Sequence, residues 1–130
     1  MTITGKQLQE LARQVASTLP DVTHGYPFTR SLDVYKVGEK VFLIVTEDPA
    51  EQIITVKVEP DHGRALVRSF ATITPGRYLA KRHWISIGAG DGITGALVED
   101  LVAHSYELVV AHMPRHERPV PKTINTSGTN

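Results

Sequence analysis

The sequence predicts an α+β fold in which N-terminal and C-terminal helices pack on one antiparallel β-sheet. Three observations predict it. Apolar residues recur at helical spacing near both ends of the chain. Between them lie β-branched runs separated by turn residues. None of the connections between the first four runs is long enough for a parallel crossover. The 130 residues suit one core, so a single domain over residues 1–113 is expected, followed by a flexible polar tail over 114–130.

Each element has a local reason. Leu8, Leu11, Ala12, Val15 and Leu19 form one stripe, Thr4 is the natural N-cap and Pro20 stops the chain, predicting a helix over 4–18. Pro27 cannot donate to a ladder, so residues 25–28 read as an edge strand or its lead-in. The runs 32–37 and 40–46 flank Gly38-Glu39, a two-residue hairpin signal. Residues 53–58 alternate, with Ile54, Val56 and Val58 on one face. These four runs make an antiparallel meander. A second helix is expected over 61–71. A short third is expected over 75–81, with Pro75 at its first position. Residues 83–87 read as a strand with Ile85 and Ile87 on one side. A long helix over 94–112 is expected to bury Leu97, Leu101, His104 and Leu108, widened by Val98, Ala103 and Val109.

Composition excludes several chemistries. There is no cysteine, hence no disulfide, thiolate nucleophile or cysteine-ligated zinc. The N-terminus shows no signal peptide and no apolar stretch is long enough to span a bilayer, so a cytoplasmic protein with no membrane partner is expected. Gly90-Asp91-Gly92-Ile93-Thr94-Gly95 matches the dinucleotide fingerprint in letters. No later strand completes a parallel unit, however, and Asp91 stands where a phosphate would sit, so it reads as a turn and helix cap. His112 and His116 are four apart, but Pro114 between them breaks the helical geometry a metal would need. His104 reads as a core histidine. Ser105 lies inside a helix, which points to packing and hydrogen bonding rather than nucleophilic attack. Asp33, Glu39 and Glu47 lie scattered on hairpins and form no recognisable acid–base pair. No enzyme activity, cofactor or metal is therefore expected.

The distribution of charge is more informative than its sum. Formal net charge is zero. Yet residues 62–90 contain no Asp or Glu, while Arg64, Arg68, Arg77, Lys81 and Arg82 all fall there. Arg64/Arg68 and Arg77/Lys81 are each spaced to project from one helix face. His83 adds to the positive side when protonated. Trp84, at the start of a strand, reads as a scaffold for this face rather than a base-stacking group.

Several stretches carry a resemblance to a known family. These are Leu19-Pro20-Asp21-Val22, Tyr26-Pro27-Phe28, Val37-Gly38-Glu39-Lys40-Val41-Phe42, Pro75-Gly76-Arg77-Tyr78, Lys81-Arg82-His83-Trp84-Ile85-Ser86-Ile87 and Ser105-Tyr106-Glu107-Leu108-Val109. In this order they resemble the MmcQ/YjbR family over about residues 8–114. The resemblance implies a CyaY-like (frataxin-like) fold with a double-wing DNA-binding arrangement. An iron role is not expected, because Glu10 is the first helix's only carboxylate. The resulting expectation is a non-catalytic DNA-binding protein whose basic helical face contacts phosphates through Arg64, Arg68, Arg77, Lys81, Arg82 and His83. The alternative is a module that binds a protein or a small anion.

Overall fold

The computed structural model describes residues 3–76 and 79–120. Its elements, in chain order, are α1 (Gly5–Thr18), β1 (Val22–Gly25), β2 (Leu32–Val37), β3 (Lys40–Thr46), β4 (Ile53–Lys57), α2 (Pro60–Ser69), β5 (Ile73–Pro75), β6 (Trp84–Gly88) and α3 (Gly95–Ala111), then a 3₁₀ turn at Arg115–Glu117. The strands form one antiparallel sheet in the order β1-β2-β3-β4-β6-β5. The meander is β1 to β4. The chain then leaves through α2 and returns with β6 against β4, which places β5 at the edge.

α1 starts where its cap predicts. Gln7 N–H donates to Thr4 Oγ1 at 3.1 Å and Thr4 N–H donates to Gln7 Oε1 at 2.9 Å, a reciprocal capping box. Leu8, Ala12 and Ala16 are fully buried. They join Leu43, Val45, Ile54, Val56, Ile85 and Ile87 of the sheet and α3 in the main core. Leu32, Val34 and Ile44 form a smaller cluster on the opposite sheet face, covered in part by Leu79.

Three expectations require correction. The first strand lies earlier than expected: β1 is Val22–Gly25, paired with β2 from Val22↔Val37 to Gly25↔Val34, and residues 26–28 follow it outside the sheet. Pro75 does not begin a helix. It ends β5, opposite Ile85, and residues 79–83 make bends and turns. A proline is tolerated there because β5 is an edge strand with no outer neighbour needing its N–H. The buried arc of α3 is also rotated by about one residue. Val98, Leu101, Val102, Ser105, Tyr106 and Val109 are buried, whereas Leu97, His104 and Leu108 are only partly covered. Apolar residues cover more than half of the helix circumference, leaving Glu99, Asp100 and Glu107 on the exposed face, so the periodicity allowed either of two neighbouring arcs. What selects the observed one is that α3 packs against α1 as well as β3 and β4.

Past Pro114, the predicted tail begins with the 3₁₀ turn. Arg118 then donates to the carbonyls of Met113 and Ala111 at the end of α3, at 3.0 and 3.1 Å. Residues 121–130 lie outside the described residues.

Ser105 explains how α3 is held. Its Oγ donates to Phe42 C=O at 2.6 Å and accepts from Lys57 N–H at 2.8 Å. Continuing the β3–β4 register past Leu43↔Val56 would set Phe42 opposite Lys57. The ladder stops there, beside the β2–β3 irregularity, and the hydroxyl fills the gap between the parting strands. Removing it leaves two buried backbone groups unpaired, at about 1–3 kcal/mol each. Ser105→Ala is therefore expected to lower unfolding stability by about 2–4 kcal/mol in a denaturant titration. A loss under about 0.5 kcal/mol would show that the bridge is dispensable.

Candidate functional site

α2 supplies the first wall of the site. Leu66 is its buried contact, and Gly63 lets it lie close to the sheet. A Cβ at Gly63 would stand 2.8 Å from Val58 Cγ2 and 3.6 Å from Ile85 Cγ2. Val58 is itself buried, and a β-branched side chain has little rotamer freedom with which to yield. The close approach sets Arg64, Val67 and Arg68 beside the β5–β6 connection.

That connection supplies the second wall. His83 N–H donates to Ala80 C=O at 3.0 Å, closing a turn that carries Lys81 and Arg82. Between the two walls runs an open groove of about 360 Å³, with Arg64, Arg68, Lys81 and Arg82 around it and Val67, Pro75 and Ile85 among its apolar lining. Four cations predicted from the sequence thus meet at one place, although a helix carries only two of them. Arg77 lies outside the described residues. His83 parts from the others: it lines a different hollow with Lys57, Glu59 and His112. Trp84 is half-buried and lines a third hollow with Lys40, Val41 and Met113.

Among the described residues, one carboxylate pairs with a groove cation. Asp61 forms an ion pair with Arg64, three residues along α2. Both side chains are largely exposed, and exposed pairs contribute only about 0–1 kcal/mol. An incoming anion can therefore replace Asp61 at little cost. Four donors of fixed positive charge over an apolar floor suit an anion that also presents an apolar face, such as a phosphate chain bearing bases.

Sequence reasoning missed a second polar constellation. Arg13 of α1 donates to the fully buried Asp33 and to Glu47, so carboxylates that looked scattered are joined through one guanidinium. His24 Nδ1 lies 2.9 Å from Asp33 and its ring stacks on Tyr35. Tyr26 donates to Glu47 at 2.7 Å. This bond pushes the Tyr26 phenol up to about 12 and, with Arg13, holds Glu47 below the usual carboxylate range. The groups satisfy one another, and among the described residues no buried side-chain polar atom lacks a partner. The cluster therefore ties α1 to β1, β2 and the β3–β4 turn. No local pattern announces it, because its members lie 20 and 34 residues from Arg13.

One histidine also differs from expectation. His104 is not a core residue: its side chain is 35% exposed and its Nε2 lies 3.3 Å from Glu59. His112 and His116 have separate partners, the Leu108 carbonyl and Glu117. The glycine-rich turn matches its reading as turn and cap. Gly92 adopts φ +82°, and Thr94 caps α3 by accepting from Leu97 N–H at 3.2 Å.

The YjbR family model matches residues 17–108. The chain belongs to the YjbR family. The match takes in the whole groove and the Ser105 bridge. The chain is 33% identical over 113 residues to the uncharacterised Escherichia coli O157:H7 protein YbdF, covering 87% of this chain and 93% of that one. It is 25% identical over 83 residues to the uncharacterised protein YjbR of Escherichia coli K12, covering 64% and 70%. Among solved structures, Deinococcus radiodurans DR2400, a DUF419 protein, superposes with a TM-score of 0.73 at 27% identity, covering 81% and 80%. A Pseudomonas syringae protein superposes at 0.62 with 19% identity, covering 82% and 98%, a likeness of fold. The α+β architecture is thus a YjbR-type fold. No described helix is long and apolar enough to cross a membrane.

The closeness of α2 is directly testable. Gly63→Ala gains about 1 kcal/mol in helix propensity, while overpacking against Val58 costs about 1–3 kcal/mol. A net loss of about 1 kcal/mol is expected in denaturant titration. Net stabilisation would mean that α2 does not need this approach.

Proposed function

We propose that this YjbR-family chain is a non-catalytic nucleic-acid-binding protein and that Arg64, Arg68, Lys81 and Arg82 neutralise phosphates along the groove. The reading rests on the convergence of these four cations, from two separate segments, on one exposed surface. Fold likeness alone says little about function, and the overall charge is zero, so any affinity must come from this local concentration. Arg77 belongs to the same basic stretch. His83 contributes through its backbone, whose carbonyl accepts from Val58 N–H at 2.8 Å and ties the turn to the end of β4.

The salt dependence follows from the number of contacts. Three or four neutralised phosphates give a slope of log affinity against log salt of about −2.7 to −3.6 on duplex DNA and about −2.1 to −2.8 on a single strand. Titration of a labelled oligonucleotide in both forms, between about 50 and 200 mM salt, reads the slope. Arg68→Glu with Lys81→Glu is expected to abolish binding and the slope together, while Arg30→Glu leaves both intact. Absence of binding by the wild-type chain at low salt would overturn the reading.

The apolar floor of Val67, Pro75 and Ile85 favours one second reading, a small organic anion with an apolar part. Thermal stabilisation by mononucleotides or aromatic carboxylates, without oligonucleotide binding, would select it.

A further inference from the structure

We propose that Glu59, His62 and His104 form a binding site for a borderline divalent transition-metal ion of the Zn²⁺ class. Each offers one ligand atom, and the three atoms lie within 4.8 Å of one another. Glu59 Oε1 and His104 Nε2 are 3.3 Å apart. Two ligands at about 2.0–2.1 Å from a tetrahedral zinc stand about 3.3 Å apart, so this pair already has the separation of two ligands. The His62 ring meets that of His104 edge-on, with centroids 5.8 Å apart. Glu59 and His62 are exposed and His104 is partly so, so small side-chain rotations suffice to close the set.

Two features of the backbone prepare the site. Glu59 occupies the N-cap position of α2, yet its side chain makes no capping hydrogen bond. Its carboxylate is turned instead toward α3. His104 immediately precedes Ser105, whose bond to Lys57 N–H fixes α3 two residues before Glu59. The ligands thus come from two helices whose relative position is already set, which limits the ordering that binding requires.

The ligand chemistry selects the ion. Two imidazoles and one carboxylate suit zinc and its first-row neighbours. Calcium takes six to eight oxygens and magnesium a near-octahedral oxygen shell, and one carboxylate does not supply either. Three protein ligands also leave a coordination position open to solvent. An exposed Glu–His ion pair alone would contribute little and would give His62 no part.

The test is calorimetric titration of the metal-free full chain with Zn²⁺, repeated with Co²⁺ while its visible d–d absorption is recorded. Saturable binding of one ion per chain is expected, with tetrahedral-type Co²⁺ absorption. His62→Ala, His104→Ala and Glu59→Gln are each expected to weaken binding by about tenfold or more, while His112→Ala and His116→Ala leave it unchanged. All five positions are at the surface or partly so, and circular dichroism of each variant checks that it folds. Absence of saturable wild-type binding overturns the proposal. So does binding that survives His62→Ala and His104→Ala, or that is lost with His116→Ala. None of these results depends on whether the groove binds nucleic acid.

Discussion

Ser105 Oγ occupies the gap between Phe42 C=O and Lys57 N–H at the point where β3 and β4 part. A ladder hydrogen bond there would have kept the strands together. With the hydroxyl in place, both backbone groups are satisfied and α3 is pinned to the sheet at a defined height. Everything after Lys57 inherits that position. Val58 N–H finds the His83 carbonyl, Glu59 finds His104, and α2 begins at Pro60. The polar bridge therefore sets the start of α2, and packing through Leu66 and Gly63 sets its tilt onto the sheet.

The groove follows from that placement. α2 presents Arg64 and Arg68 to the return connection, and the turn closed by Ala80 and His83 presents Lys81 and Arg82 to α2. A chain of zero net charge has no long-range pull on a polyanion. Fields are screened within about 8–10 Å at physiological salt, so a cluster acts on what is already near it. Such a surface suits modest, salt-sensitive binding. The apolar floor adds a contact that salt does not screen, which is how the two readings of the groove part company.

Much of the fold is legible in the sequence where the signals are local. Thr4 with Gln7 marks the start of α1, Gly38-Glu39 marks the β2–β3 hairpin, and the strands on either side take the predicted bounds. Pro75 misleads because the same residue serves a helix start and the end of an edge strand. Only the return of β6 into the sheet, a long-range event, separates the two. α3 misleads because its apolar arc is wider than the face it buries, and tertiary packing chooses the buried part. The site divides in the same way. Arg64 and Arg68 are helical neighbours and their pairing is local. Lys81 and Arg82 reach the groove from a turn rather than a helix, and His83 faces elsewhere. The meeting of Glu59 with His104 spans 45 residues, and that of Arg13 with Asp33 spans 20. No spacing rule reports such pairs.

The groove between α2 and the β5–β6 connection is proposed as the place where this YjbR-family protein meets an anionic partner. Amide chemical-shift mapping of the full chain with a short single-stranded oligonucleotide tests it most directly. Perturbations are expected at residues 63–68 and 79–85, fading as salt is raised. Perturbations confined to the hollow around His24, Tyr26 and Lys36, or none at low salt, would contradict it.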